Sequence, residues 1–161
     1  MRELFKVEDP KAATVSSAVL HGILQSPASM FEYKLAIERA LTYEKCLLEL
    51  EGMAKRACQY DKALANVGAL FSQQVAGRVS TEVDPQVAYD TQGIVTRAQH
   101  LMTLYDELGI KRDRVIVRIP ATWEGIQAAG QLEKQGINTH LILVYRCVQH
   151  HVITRVSPNN M

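Results

Sequence analysis

Between residues 79 and 145 the apolar positions alternate between two rhythms. Val79-Ser-Thr-Glu-Val83 is a short β-type run, closed by Asp84-Pro85. Asp90 or Thr91 can cap a helix in which Ile94, Ala98, Leu101, Met102, Tyr105 and Leu108 line one side, and Gly109 suits the left-handed residue that ends it. A second strand is predicted over 114–119. Thr122 then serves as an N-cap, Glu124 falls in the first turn where the dipole favours an anion, and Ile126, Ala129 and Leu132 form the buried stripe of a helix stopped by Gly136. A third strand is predicted over 140–145. The order strand, helix, strand, helix, strand, with long crossovers, implies right-handed parallel βαβ units. The last two strands are nearly continuous apolar runs, as expected when both sheet faces are covered.

The preceding part is helical in pattern. Residues 12–24 fit a short helix broken by Ser26-Pro27, and a long helix is predicted from Ser29, with Ile37, Ala40, Leu41, Leu47 and Leu48 at helical spacing. Gly52 is expected to weaken or end it. A further helix is predicted over 60–74, with Leu64, Val67, Phe71 and Val75 on one face and Gly77 as its stop. After Tyr145 the periodicity fails. The expected organisation is therefore one α/β unit over 1–145, helical over 1–76 and βαβαβ over 77–145, followed by an irregular tail over 146–161. This is the repeating unit of a (β/α)8 barrel or of a doubly wound sheet, and no Gly-rich phosphate loop follows any strand.

Composition narrows the classes. An apolar fraction of 47% is enough for a sizeable core. The 18 Lys and Arg nearly balance the 17 Asp and Glu, which gives no reason to expect a nucleic acid or an anionic membrane as partner. The start, Met-Arg-Glu-Leu-Phe-Lys-Val-Glu-Asp, is too charged for a signal peptide, and no apolar run approaches membrane length. The expected compartment is the cytoplasm, with plastid import left open. Cys46, Cys58 and Cys147 match no zinc or redox spacing and are expected to be reduced thiols. His150-His151 has no third ligand in a clear scaffold and reads as solvated tail, so no metal is expected.

Chemistry enters through strand alternation. Ser80 and Glu82 share one face of the first strand, Ile116 and Arg118 one face of the second, and His140, Ile142 and Val144 one face of the third. If the strands are neighbours, Glu82 and Arg118 meet inside the sheet or barrel. Two readings stay open at this point: a buried Glu–Arg ion pair, and an active site at the strand ends. Trp123 reads as a packing anchor for its helix, although Trp at a strand end can also wall a sugar site. His100 and Lys134 read as solvated helix face.

The segments Gly77-Arg-Val-Ser-Thr-Glu-Val-Asp84, Tyr89-Asp-Thr91, Ile119-Pro-Ala-Thr-Trp-Glu-Gly-Ile126, Leu132-Glu-Lys-Gln-Gly-Ile137 and Thr139-His-Leu141 closely resemble transaldolases in order and spacing. The resemblance covers residues 60–145, and the preceding helix more loosely. It implies a partial (β/α)8 TIM-barrel of about three strands, no cofactor, and a family reaction in the pentose phosphate pathway. That reaction transfers a dihydroxyacetone unit from sedoheptulose 7-phosphate to glyceraldehyde 3-phosphate. It also implies residue roles. Glu82 stands at the family's catalytic glutamate, which helps position and protonate a water. Arg118 stands at the family's Schiff-base lysine, and His140 at an active-site Asn. Ile142 replaces a Thr and Arg146 a Ser, and no match is found to the Thr-Asn-Pro-Ser-like strand that helps open the family's barrel. A guanidinium stays protonated above about pH 12 and its lone pairs are delocalised, so Arg118 cannot take over the covalent role. The expected protein is a catalytically impaired transaldolase-like chain, with a sugar phosphate as substrate if active. The alternative is a non-catalytic, regulatory partner of a full-length transaldolase, and a homo- or hetero-oligomer is expected to cover the open sheet edge.

Overall fold

Four short strands, β1 (Ala13–Val15), β2 (Val79–Glu82), β3 (Val115–Pro120) and β4 (Thr139–Ile142), lie parallel and side by side in sequence order. Helices α1 (Ser17–Gln25), α2 (Phe31–Leu41), α3 (Glu44–Leu48) and α4 (Gly52–Ser72) fill the connection from β1 to β2. Helix α5 (Thr91–Glu107) links β2 to β3, and α6 (Trp123–Lys134) links β3 to β4. The computed structural model describes residues 10–27, 30–48, 51–146, 149 and 152–153. The charged stretch 1–9, Ser29, Cys147 and His150-His151 lie outside the described residues. The architecture is an α/β arrangement of the TIM-barrel kind whose sheet is not closed, with β1 and β4 at its edges.

Several expectations need correction. The sheet has four strands rather than three, because Ala13, Thr14 and Val15 pair with Val79, Ser80 and Thr81 instead of starting a helix. A three-residue strand is too short to register as alternation, and only pairing with β2 reveals it. The long helix from Ser29 is two helices, interrupted at Thr42 and Tyr43. Gly52 does not end a helix but opens α4, in the left-handed conformation at φ +57°. Strand β4 stops at Ile142, because Leu143 adopts φ +63°, a conformation that breaks the ladder. In the expected irregular tail, Gln149, Val152 and Ile153 are helical and Ile153 is buried in the core. His100 is half-buried rather than solvated, and burial pushes its imidazole below the usual range.

The sheet is two-sided, and helices cover one side only. Val15, Val79, Thr81, Val115, Val117, Ile119, Thr139 and Leu141 are buried under α4, α5 and α6. On the other side Thr14 and His140 are exposed, and Ser80, Glu82, Ile116, Arg118 and Ile142 are half-buried. Among the described residues helices thus lie on one face, and polar residues at alternate positions mark the other. Each Val or Ile sealed on the covered face contributes about 1.5–3 kcal/mol, which fixes which face points inward and with it the register.

Three sets of polar contacts tie the helices to one another and to the sheet. Tyr105 of α5 is fully buried and its hydroxyl meets Thr81 Oγ1 at 2.5 Å, from directly behind Glu82's strand. Gly68 of α4 makes room for that ring, since a Cβ there would strike the Tyr105 hydroxyl. Arg114 donates to the carbonyls of Gly77, Ser72 and Val75 at 2.6, 2.9 and 2.8 Å, tying the end of α4 to the start of β2. Asp61 of α4, wholly buried, lies 2.9 Å from Arg97 of α5, and Arg97 also reaches Asp84 beyond β2 at 3.5 Å. Burial pushes the Asp61 carboxyl up to about 7, and the nearby Arg97 cation only partly offsets it.

Cys46 of α3 and Cys58 of α4 are joined by a disulfide, with Cα atoms 5.7 Å apart, which corrects the expectation of reduced thiols. A separation of 12 residues says nothing until the chain folds α3 back onto α4.

Two substitutions check this account. Gly68→Ala should cost about 1–3 kcal/mol of stability through overpacking against Tyr105, read from urea unfolding. Asp61 has a folded pKa near 7 against 3.8 for the free side chain, so the folded state holds the extra proton. Its contribution therefore falls as pH rises from about 4 through about 7, by a few kcal/mol at most. Melting of wild type against Asp61→Asn across that window should show the slope in the wild type and a flatter curve in the variant.

Candidate functional site

Parallel pairing places Glu82, Arg118 and His140 in one row. Glu82 is the partner of Arg118, and Arg118 is the partner of His140. With strands about 4.8 Å apart, the guanidinium-bearing residue sits between an acid on one side and an imidazole on the other. All three occupy the open face, so the positions singled out from alternation are brought together. Behind them Thr14, Ser80 and Ile116 form the next row on the same face.

None of the ion pairs among the described residues joins Glu82 to Arg118. The structural ion pair weighed from sequence is therefore not formed. Arg118 Nε and Ser80 Oγ are buried without a hydrogen-bond partner among the described residues. Buried donors of this kind are costly unless something satisfies them. A fixed cation flanked by a carboxylate and an imidazole can orient an anionic or hydroxylated ligand and move protons through Glu82 or His140. The row itself contains no amine nucleophile.

The turn after Arg118 is built tightly. Thr122 caps α6 by accepting from the Gly125 amide at 2.9 Å and donates its own hydroxyl to the Ala88 carbonyl at 2.6 Å. Thr91 donates to the Glu124 carbonyl at 3.2 Å, so the loops after β2 and β3 are tied to each other. Gly125 cannot carry a side chain, because its Cβ would press on the Pro120 carbonyl. The turn read from sequence thus stands, with one correction. Trp123 is 63% exposed and does not anchor its helix.

Trp123 instead walls a cleft of about 820 Å³ beyond the ends of β3 and β4, with Tyr89, Leu143, Tyr145, Arg146 and Gln149. None of Glu82, Arg118 and His140 lines this cleft. The row and the cleft are separate features of the strand ends. The cleft's shape depends on Gln149, which sequence reading missed. Its Oε1 accepts from the Tyr145 and Arg146 amides at 2.9 and 3.0 Å, and its Nε2 donates to the carbonyls of Ala121 at 2.8 Å and Leu143 at 3.4 Å. A lone Gln in an aperiodic stretch gives no signal of this. The aromatic residues flanking the strand ends, Tyr89 and Tyr145, were the available hint.

Among the described residues no group of three or more His, Cys, Asp or Glu is placed to hold a metal ion, and no helix is long and apolar enough to cross a membrane.

Comparison with known proteins agrees with the geometry. The family model described as Transaldolase/Fructose-6-phosphate aldolase matches residues 15–157, from the last residue of β1 to beyond β4. The match reaches further toward the N-terminus than the motif segments alone. The transaldolase of Yersinia pseudotuberculosis serotype O:3 (strain YPIII) is 36% identical over 148 residues, covering 89% of this chain and 44% of that protein. Transaldolase A of Pasteurella multocida (strain Pm70) is 36% identical over 143 residues, with the same coverage. The chain thus spans 44% of the length of the curated relatives it matches. An open parallel sheet, a row of polar residues on its uncovered face and a match over nearly the whole chain lead to one assignment: this chain belongs to the transaldolase/fructose-6-phosphate aldolase family.

Proposed function

We propose that this chain is a transaldolase-like protein of sugar-phosphate metabolism whose dihydroxyacetone-transfer chemistry is impaired at Arg118. The observation that carries the reading is Arg118 itself, central in the row with Glu82 and His140. The family reaction of the pentose phosphate pathway needs an uncharged amine to attack the ketose carbonyl and lose water to give a Schiff base. A guanidinium offers no free lone pair at any pH a protein tolerates. Glu82 retains the position from which the family's glutamate manages a water, and His140 replaces an amide by an imidazole. The chain therefore keeps proton-transfer groups and a cation for a phosphate or hydroxyl, and lacks the covalent step. The expected ligand is a sugar phosphate, with no cofactor, and the expected compartment is the cytoplasm.

A second reading is supported by the sheet edges. Among the described residues β1 and β4 stand at the two ends of the strand order, the positions at which a parallel sheet accepts further strands. In this reading the chain is a non-catalytic partner that seats against a second copy or a full-length transaldolase.

Borohydride treatment with sedoheptulose 7-phosphate should leave no covalent adduct on this chain, and a labelled peptide in the mass spectrum would overturn the first reading. Arg118→Lys should leave dihydroxyacetone transfer at background in a coupled assay, because His140 and Ile142 also depart from the pattern the resemblance implies. Recovery of transfer would show that Arg118 alone accounts for the loss. Co-purification with full-length transaldolase at micromolar concentration supports the second reading, and its absence counts against it.

A further inference from the structure

Helix α3 is a poorly anchored element. It has five residues, well short of the length at which an isolated helix holds together. Cys46 is its one buried residue, whereas Leu47 and Leu48 are 40% and 76% exposed. Tyr43, just before the helix, is partly buried against the core, and the polar ties of the corner run to Glu107, the last residue of α5. Tyr43 donates to Glu107 Oε2 at 2.7 Å, and Lys45 Nζ lies 2.6 Å from Oε1. The Lys45 side chain is 62% exposed, and an ion pair that open to water contributes little. Partial burial of Tyr43 and a surface ion pair do not by themselves fix this corner.

The covalent bond does. We infer that the Cys46–Cys58 pair is a redox-responsive modification site, whose disulfide fastens the α3 corner onto α4 and whose reduction releases Tyr43 and Lys45 from Glu107. The Cα separation of 5.7 Å lies within the range a disulfide spans without backbone movement. Cys58 is 6% exposed and Cys46 not at all, so an incoming reductant meets Cys58 first. The thiolate of a dithiol attacks Cys58 Sγ, and Cys46 Sγ leaves as a thiolate and takes up a proton. The reductant's second thiol then attacks the mixed disulfide, closes its own disulfide and returns Cys58 as a thiol. Two electrons pass from the dithiol to the protein. Both sulfurs are nearly covered, so the exchange requires the corner to open transiently. Lys62, which lies 4.4 Å from the centre of the Tyr43 ring and 3.6 Å from Glu107, loses its cover when the corner departs.

The test begins with thiol counting. The full chain, purified without reductant and labelled with a maleimide in denaturant, should take one label on its three cysteines, and three labels after dithiothreitol. The native protein is then compared with and without dithiothreitol. The expected results are a melting temperature lower by about 5–10 °C, faster amide exchange confined to residues 43–48, and restoration of both by oxidised glutathione. Three labels without reductant would overturn the crosslink. One label with unchanged melting and unchanged exchange over 43–48 would overturn its role in holding the corner. Cys58→Ser should reproduce the reduced wild type and no longer respond to dithiothreitol. The wild-type comparison stands by itself if the variant fails to fold.

Discussion

The rest of the molecule depends on the register of three parallel strands. In a sheet the side-chain period is two, and a slip of one residue would send every polar group of β3 under the helices and every valine into the open. The buried face resists that slip, because Val79, Val115, Val117 and Ile119 would each lose their cover. The Tyr105–Thr81 contact adds a directional lock to the same strand that carries Glu82. The apolar face thus sets the position of the polar one. Glu82, Arg118 and His140 are neighbours because the residues between them, on the other side of the sheet, are well packed.

That dependence makes Arg118 informative. It sits at the middle of the row, on a strand whose flanking residues Val117 and Ile119 are wholly buried, and its Nε finds no partner among the described residues. Burial of an unsatisfied cationic donor is an expense that a packing role would not require. The backbone that delivers it is also specialised, with Pro120, the Thr122 cap and a glycine at 125 that admits no Cβ. The backbone at this place is built to present a side chain at the end of β3.

The sequence made the alternating βαβ part legible, because helix stripes such as Ile94–Ala98–Leu101 and strand runs such as Val115-Ile-Val are strong local signals. Thr122 and Asp90 were readable as caps for the same reason, and both accept the amide three residues on. What escaped were features decided by tertiary partners. β1 has three residues and becomes a strand only beside β2. Trp123 looked like core by its composition and is exposed, because α6 turns it outward toward the cleft. Cys46 and Cys58 looked idle because their meeting depends on a helix break at Thr42 and Tyr43 that propensity does not mark. At the site, the row of three was readable from alternation plus adjacency, whereas the buried, unpartnered Nε of Arg118 was not.

Gln149 carries a consequence of a different sort. Its amide nitrogen reaches the carbonyl of Ala121, just beyond β3, and that of Leu143, just beyond β4. Those two carbonyls come within reach of one side chain only after the strands have paired, a step that Ala121 itself completes by donating its amide to the Ile142 carbonyl at 2.8 Å. A single glutamine therefore makes the shape of the cleft conditional on the pairing of two strands, so that a change in the β3–β4 register would be felt in walls that neither strand itself forms.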